Sequence, residues 1–444
     1  MYSLFQKIWY RYSQFWVIMT TRVGYFKRFE RTFSKKIDRS APLVYAGNHQ
    51  SAFVDALIVS CGSPKQANFL LRSDVFKPGL VTKLLELYNM MPIYRQRDGI
   101  DALDKNDAIF EKCHKMLKDE ELLIIFPEGN CMLKYNLRPL KKGVTRIVMQ
   151  AAEKFDYKLL TQIVPVGINY GHHTRFQTDL LVNYGDPINV SDYYVEYKKN
   201  QAETMTKMLR DLSERMKGTM IHITNMKIYD GLVVLKDFFI PQNQSLFGIK
   251  GSSLKSNFDA MKKAITLFED KARGDASFEK AFGELGVDLQ KKLNKLSIDP
   301  EVAMTPNSLF GMFIRKWYLI LFFPYFIFAV LSNMPLALVF RKIVKGVKDD
   351  QWHHSLRAAG GMFLYPTYYT IQALIAYFLI SNAALWGLYV FALIPSGLFL
   401  MQYGRTGRRF FQHVKLMFSG KLKAQVKEIR SLRDRLYSFV DQVV

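Results

Sequence analysis

His49 and Asp55 lie six positions apart in AGNHQSAFVDAL, residues 46–57, among mostly small or apolar residues. The residues before His49 favour a strand that runs into a loop, and those after Ser51 favour a helix. A bend between them would bring the carboxylate to one imidazole nitrogen and leave the other facing outward. A histidine held in this way is a base that can remove a proton from a hydroxyl. For an isolated pair, a histidine hydrogen-bonded to a helix cap is the commoner arrangement, so further residues must support the base.

A second carboxylate follows an apolar strand. LLIIFPEGN, residues 122–130, ends in a turn that contains Glu128 and the flexible Gly129. Ligands bind at the carboxyl edge of the strands in α/β sheets, so this turn is expected beside the histidine.

Two arginines follow another strand. In MPIYRQRD, residues 91–98, Arg95 and Arg97 could grip a phosphate through paired hydrogen bonds. The alternative, for one of the two, is a solvated surface charge.

Between Pro42 and Tyr184 short β-like runs alternate with helical ones, which indicates strands joined by crossover helices. Strands are predicted at 42–48, 68–74, 91–96, 122–129 and 160–170, and helices at 51–61, 78–90, 101–120 and 143–155. The predicted fold class is therefore α/β, with a mixed sheet flanked by helices.

These motifs, in this order, resemble the glycerolipid acyltransferase family, which includes the glycerol-3-phosphate and 1-acylglycerol-3-phosphate acyltransferases. The resemblance covers roughly residues 40–190, with weaker support from LRPLKKGVTRIVMQA, 137–151. It implies that His49 is the general base, Asp55 its partner and Arg95 a phosphate contact. It also implies that Glu128 and Gly129 form part of the acceptor-binding motif.

The chain departs from the family pattern in two places. Five residues separate His49 from Asp55 where most members have four, which looks like the branch of fungal-type glycerol-3-phosphate or dihydroxyacetone-phosphate acyltransferases. Asn130 and Cys131 follow the FPEG motif where the family usually has Thr or Ser and then Arg. Basic residues of the following segment are candidates to make the missing contacts. Lys142 is one of them, and both Lys142 and Arg97 are predicted to bind the substrate. The other candidates are Arg138 and Lys141.

The composition points to a lipid surface. Hydrophobic residues make up 49% of the 444-residue chain, and the formal net charge is +23. Basic residues gather beside apolar segments, as lipid-facing charges do, so no nucleic-acid partner is expected. The three cysteines lack metal-ligand or disulfide spacing, so reduced thiols and no bound metal are expected.

The N-terminal residues 1–37 place aromatic and apolar side chains at helical spacings. An amphipathic helix lying in a membrane interface is predicted, and packing against the protein's own core is the alternative.

The C-terminal part is the most apolar. Residues 317–340 carry no charge, and a re-entrant pair of half-helices broken near 332–335 is favoured there. Residues 362–381 and 384–403 are expected to form a membrane hairpin. Basic residues flank the hairpin on both sides, so both ends are expected to face the cytoplasm, together with the catalytic domain.

Five regions are predicted: an interfacial helix (1–37), an α/β acyltransferase domain (38–230), a helical extension (231–304), membrane-embedded helices (305–404) and a basic C-terminal helix (405–444). The expected function is membrane-bound O-acyl transfer in phospholipid synthesis, from acyl-CoA or acyl carrier protein to glycerol-3-phosphate or 1-acylglycerol-3-phosphate, with no cofactor. The expected partners are membrane lipids, the acyl donor and the phosphate-bearing acceptor. The alternatives are an acyltransferase for a different lipid alcohol, such as an aminoacyl lipid, and a membrane scaffold without activity.

Overall fold

The structure is a computed structural model. It describes residues 4–76, 79–94, 100–173, 177–304, 309–347, 356–357 and 360–444. The chain forms two compact units, one made mainly of residues 1–222 and the other of most of the chain from residue 223 onward.

The first unit is built on one mixed sheet of eight strands. The strands are β1 (Arg28–Phe33), β2 (Leu43–Gly47), β3 (Ala67–Arg72), β4 (Met90–Ile93), β5 (Leu122–Ile125), β6 (Gln162–Tyr170), β7 (Asp179–Tyr184) and β8 (Ile188–Asn189). Their order is β1-β7-β6-β2-β5-β3-β4, and β8 also pairs with β6. Strands β2 to β6 run parallel to one another, whereas β7 runs antiparallel to β6 and β1 runs parallel to β7. The mixed sheet confirms the predicted fold class.

Helices cover both faces of this sheet. They are α1 (Leu4–Thr20), α2 (Ala52–Ser60), α3 (Leu80–Leu87), α4 (Ile100–Lys118), α5 (Gly143–Lys154), α6 (Tyr194–Lys199) and α7 (Gln201–Thr219). Successive side chains of β2 point to opposite faces of the sheet. Val44 and Ala46 pack in one core with α4, α5 and α7. On the other face Tyr45 meets Tyr184, whose hydroxyl donates to the Val59 carbonyl of α2 at 3.0 Å.

The predicted strands and helices between residues 42 and 170 all occur in the structure. Their β-branched and apolar runs are short and their turns are polar, so local pattern was enough to find them. The end of the first unit at His222 differs from the predicted boundary at residue 230.

The helix predicted for residues 1–37 is wrong in its second half. It ends at Thr20, a π-helical turn follows, and residues 28–33 form β1 at the edge of the sheet. Phe26, which continues the helical spacing, is instead buried beside Tyr170. The strand exists because β7 pairs with it, in a register that sets Arg28 opposite Asp179. The predicted start of the α/β domain at residue 38 is therefore too late.

Helix α1 packs against the domain on one side, as the alternative prediction has it, and its predicted place in a membrane interface stays a prediction. On one side the Tyr10 hydroxyl accepts a hydrogen bond from the Ala67 amide at 3.0 Å, and Gln14 donates to the carbonyls of Ser60 and Ser63 at 3.1 Å. On the other side large apolar side chains are exposed, among them Leu4, Ile8, Tyr12, Phe15 and Met19. The helix packs on the domain and still presents an apolar face.

The second unit is helical throughout its described residues. Its helices are α8 (Tyr229–Val234), α9 (Leu254–Gly274), α10 (Ala276–Lys295), α11 (Pro300–Met304), α12 (Leu309–Leu321), α13 (Phe323–Lys345), α14 (Tyr365–Leu379), α15 (Ala383–Phe418) and α16 (Gly420–Ser438). By length and composition alone, α13 and α15 could each cross a membrane. Helix α14 has 15 residues and follows a π-helical turn at Gly360–Leu364.

The break predicted near residues 332–335 is wrong, because α13 is continuous there and the chain is interrupted at Phe322 instead. Proline removes one amide and frees carbonyls of the preceding turn. The Tyr368 hydroxyl donates to the Ser332 carbonyl at 3.1 Å, three residues before Pro335. Neighbouring helices can thus satisfy the freed carbonyls without a break in the helix.

The same arrangement recurs in α15. The Tyr325 hydroxyl donates to the Ala392 carbonyl at 2.7 Å, three residues before Pro395. This helix also runs through the predicted boundary at residue 404 and ends at Phe418.

Gly167 allows the end of α7 to lie directly on β6. The Thr219 carbonyl accepts hydrogen bonds from the side-chain amides of Asn169 and Asn183 at 3.0 and 2.9 Å. A Cβ at Gly167 would lie 1.9 Å from that carbonyl oxygen, whereas a Cβ at Gly218 would have no atom within 4 Å.

We expect Gly167→Ala to destabilise the first unit by about 1–3 kcal/mol, because backbone must move to admit the methyl group. Gly218→Ala adds the same methyl group one residue from the same contact, and the higher helix propensity of alanine should leave stability unchanged or raised. Thermal unfolding followed by circular dichroism tests this pair. Equal midpoints for the two variants would contradict the proposed close contact.

Candidate active site

His49 and Asp55 are brought together by the loop between β2 and α2. The His49 Nδ1 lies 2.9 Å from the Asp55 Oδ2. Asp55 is in the first turn of α2, where the helix N-terminus favours negative charge, and it is completely buried. The same Oδ2 accepts the backbone amides of Gln50 at 2.8 Å and Ser51 at 2.7 Å. The predicted bend therefore exists, and the spacing of five intervening residues is compatible with it.

Tyr170 completes the surroundings of this carboxylate. Its hydroxyl donates to the Asp55 Oδ1 at 2.7 Å. Burial, and then the nearby charge of Asp55, raise the pKa of Tyr170 well above its ordinary value, so the hydroxyl remains a donor. Sequence reasoning missed this residue. Its position at the end of an apolar strand was visible, but the adjacency of β6 to β2 was not.

Two contacts orient the histidine. Asn48 is fully buried and continues the pairing of β2 with β6: its Oδ1 accepts the Ile168 amide at 2.7 Å and its Nδ2 donates to the Ile168 carbonyl at 3.1 Å. The His49 ring stacks on Phe126, with centroids 4.3 Å apart and planes 16° apart. The side chain of His49 is 18% exposed. Because Nδ1 is engaged by Asp55, Nε2 is the nitrogen left for a substrate.

Glu128 joins the histidine loop to the segment before α5. Its Oε1 accepts the His49 backbone amide at 2.8 Å. Its Oε2 accepts the Arg138 backbone amide at 3.2 Å and the Arg138 Nε at 3.0 Å. The carboxylate side chain is only 3% exposed. Glu128 thus stabilises the loop that carries His49, and its predicted contact with an acceptor stays a prediction.

The turn at residues 126–129 requires its glycine. Gly129 has a φ of +72°, and its amide donates to the Phe126 carbonyl at 3.0 Å. A Cβ there would approach only the Lys141 Cγ, at 3.5 Å, so backbone conformation and not space favours glycine. The Lys141 amide donates to the Pro127 carbonyl at 2.7 Å, which holds the basic segment against the turn. Lys142, the residue before α5, is exposed beside it.

The predicted phosphate contacts Arg95 and Arg97 lie outside the described residues. Strand β4, which precedes them, ends at the same edge of the sheet as β2 and β5. Asn106 of α4 bonds both the amide and the carbonyl of Tyr94, each at 2.9 Å. Strands β5 and β3 separate β4 from β2, a distance of about 14 Å at the usual strand spacing.

Cys131 lies against the His49–Asp55 pair. Ligand-type atoms of His49, Asp55 and Cys131 all lie within 4.8 Å of one another. The Cys131 Sγ accepts the Ala52 amide at 3.2 Å, and burial followed by the Asp55 charge raises the pKa of the thiol to about 12. A metal needs the thiolate, and the Asp55 oxygens already accept four hydrogen bonds, so these residues fit a metal poorly. That the site works without a metal stays a prediction.

Comparison with known proteins gives several likenesses. Residues 28–169 match the sequence model of a family described as Acyltransferase. Glycerol-3-phosphate O-acyltransferase 2 of Saccharomyces cerevisiae is 29% identical over 157 residues, which is 35% of this chain and 20% of the relative. Glycerol-3-phosphate O-acyltransferase 1 of the same yeast is 29% identical over 130 residues, which is 29% of this chain and 17% of the relative.

A solved structure, the 1-acyl-sn-glycerophosphate acyltransferase PlsC of Thermotoga maritima, is also similar. It is 15% identical with a TM-score of 0.35, and the likeness covers 48% of this chain and 79% of that one. The chain spans about a fifth of the length of the yeast relatives that it matches.

The matched segment runs from the edge strand β1 through the His49–Asp55 pair and the Phe126–Gly129 turn into β6, and it ends one residue before Tyr170. Residues 28–169 are therefore similar to acyltransferases, and the two yeast relatives are named glycerol-3-phosphate O-acyltransferases.

Proposed function

We propose that this chain transfers a fatty acyl group from a thioester, acyl-CoA or acyl carrier protein, to a hydroxyl of glycerol-3-phosphate or 1-acylglycerol-3-phosphate. The observation that carries the proposal is the pairing of a partly exposed His49 with a buried, fully hydrogen-bonded Asp55 at the carboxyl edge of the sheet. The yeast relatives are glycerol-3-phosphate O-acyltransferases by name, which supports glycerol-3-phosphate as the acceptor.

The reaction needs one base. Nε2 of His49 takes the proton of the acceptor hydroxyl as its oxygen attacks the thioester carbonyl carbon. Asp55 stabilises the imidazolium that forms, since its carboxylate accepts from Nδ1. The tetrahedral species collapses, the carbon–sulfur bond breaks, and the departing thiolate takes the proton back from Nε2. The thioester is already activated, so no covalent enzyme intermediate and no cofactor are needed.

The acceptor phosphate would be held by cations at the same edge of the sheet. Lys142 is exposed next to the Phe126–Gly129 turn, and Lys141 is held beside it by its bond to Pro127. Arg95 and Arg97 are proposed as further contacts, because they follow β4 in the sequence and β4 ends at this edge. Arginine favours bidentate phosphate contacts, whereas lysine acts as a point charge.

The acyl chain is apolar, so it favours lipid surroundings over water. Burying a methylene is worth about 0.8 kcal/mol, so a long chain contributes on the order of 10 kcal/mol when it leaves water. We propose that α13 and α15 embed the protein in a membrane and that the exposed apolar face of α1 lies in its interface. The basic residues that flank the apolar segments favour a catalytic domain facing the cytoplasm.

A second acceptor is favoured by one observation. Asn130 and Cys131 replace the residues that usually follow the FPEG motif, and Cys131 lies beside His49. An altered head group, such as that of another lipid alcohol, would fit this change. The acceptor is therefore tested with several alcohols in the same assay.

We expect membranes that carry the protein to acylate at least one of glycerol-3-phosphate, dihydroxyacetone phosphate and lysophosphatidate with a labelled acyl thioester. His49→Ala should abolish this incorporation, and Asp55→Asn should lower the rate by about 10²–10⁴-fold, because the base loses its partner. Asp179→Asn, which removes a carboxylate from a partly exposed ion pair with Arg28, is the matched control and should leave the rate unchanged. Incorporation that survives His49→Ala would refute the mechanism.

Tyr170→Phe should lower kcat by about 10–100-fold and change KM little, because a hydrogen bond to a buried carboxylate is worth about 1.5–3 kcal/mol. Tyr184→Phe is the matched control, since its equally buried hydroxyl donates to the Val59 carbonyl and not to Asp55. Steady-state kinetics of both variants separate positioning from packing. Equal losses of kcat in the two variants would show that Tyr170 acts only through stability.

The protein should stay with membranes after an alkaline carbonate wash. Ile394→Arg should reduce the retained fraction, since an arginine near the centre of a spanning helix costs about 2.5–3.5 kcal/mol of insertion. Val195→Arg is the control: Val195 on α6 is 68% exposed and Ile394 on α15 is 64% exposed. If both variants are retained equally, α15 does not span the membrane.

A further inference from the structure

An open cavity of about 350 Å³ lies where α15 and α16 meet in the second unit. It is lined by three cationic and three apolar side chains: Lys423, Lys427, Arg430, Leu416, Met417 and Val426. A groove with this lining suits a ligand that carries both an anion and a hydrocarbon chain.

The cations share one face of α16. Lys423, Lys427 and Arg430 are spaced four and three residues apart, which places them above one another on a helix. Both lysines are exposed, and among the described residues no carboxylate lies within ion-pairing distance of either. Arg430 is held in place, since its Nε donates to the Ala303 carbonyl at 2.8 Å.

The nearest acidic side chains of α16 are engaged elsewhere. Glu428 pairs with Lys292 at 2.8 Å, and Asp434 pairs with Arg433 at 2.7 Å. The groove therefore keeps its positive charge.

The groove lies at the same height along α15 as a group of exposed apolar side chains. Tyr318 packs against Tyr403 and Phe322 packs against Phe399, with ring centroids 5.8 and 6.0 Å apart, so α12 and α15 run antiparallel. The start of α12 is thus level with the end of α15. There Leu309, Phe310 and Phe418 are 74%, 72% and 84% exposed. Exposed aromatic and apolar residues next to lysines are typical of the depth at which lipid head groups lie.

We propose that the groove between α15 and α16, lined by Lys423, Lys427 and Arg430, binds the phosphate head group of an anionic phospholipid. The first methylenes of its chains would rest on Leu416, Met417 and Val426. This site rests on the proposed membrane insertion and is separate from the catalytic residues, all of which belong to the first unit. It would retain an acidic lipid on the helical unit independently of acyl transfer.

The experiment is a calorimetric titration of the purified 444-residue chain, in neutral detergent, with the short-chain anionic lipid dihexanoyl phosphatidylglycerol, which is neither substrate nor product of the proposed reaction. Saturable binding with one site per chain is expected. Lys423→Gln combined with Lys427→Gln should weaken binding by about tenfold or more, since each lysine near an anionic lipid contributes about 1 kcal/mol. Lys415→Gln combined with Lys421→Gln removes the same charge from exposed positions outside the groove, and should change the affinity less than about twofold.

Titrations with other compounds identify the ligand. Dihexanoyl phosphatidylcholine and inorganic phosphate should not bind measurably. Phosphate binding as tight as that of phosphatidylglycerol would make this a free-phosphate site and overturn the lipid assignment. Equal weakening in the two double variants, or the absence of saturable binding, would also overturn it. His49→Ala should bind like the unmodified protein, so loss of activity and loss of lipid binding are distinguishable.

Discussion

The rest of the site depends on the hydrogen bonds that the buried carboxylate of Asp55 accepts. An ionised carboxylate without partners is costly to bury, yet this one is completely shielded from water. It is stabilised by four donors: the His49 ring, two backbone amides of the following loop, and the Tyr170 hydroxyl. The first three come from one short segment, but Tyr170 arrives on a neighbouring strand. The histidine is therefore oriented by the sheet as a whole and not by its own loop alone.

Adjacent parallel strands explain why the remaining motifs meet. β2 and β5 pair in register, so the loops that follow them leave the sheet side by side. Glu128 then bonds the His49 backbone with one oxygen and Arg138 with the other. The acidic residue of the FPEG motif therefore holds the loop, and the cations Lys141 and Lys142 beside it are exposed. Cys131, in a position where the family usually has arginine, occupies space next to the histidine instead of contributing a charge.

In the second unit, polar side chains inside an apolar helical bundle are hydrogen-bonded to one another. Asn333 and Ser396 are fully buried and bond each other at 2.9 Å, and the Tyr369 hydroxyl donates to Asn333 at 2.7 Å. Tyrosines from neighbouring helices also bond carbonyls near both internal prolines. Because hydrocarbon offers no hydrogen bonds, this satisfaction of polar groups suits a membrane interior. The basic groove at the end of α15 is a different kind of surface, because charged and apolar side chains are exposed together there.

The sequence by itself determined the α/β alternation, the His49–Asp55 pair and the Phe126–Gly129 turn, because each depends on residues close together in the chain. Period-two and helical spacings located the elements between residues 42 and 170, and turn chemistry located the loops between them. The tertiary structure alone decided that residues 28–33 are a strand, since that strand exists through pairing with β7. It also decided that Tyr170 bonds Asp55, that Glu128 is engaged by Arg138, and that α13 stays continuous through Pro335. All of these depend on partners distant in sequence, which local periodicity does not encode.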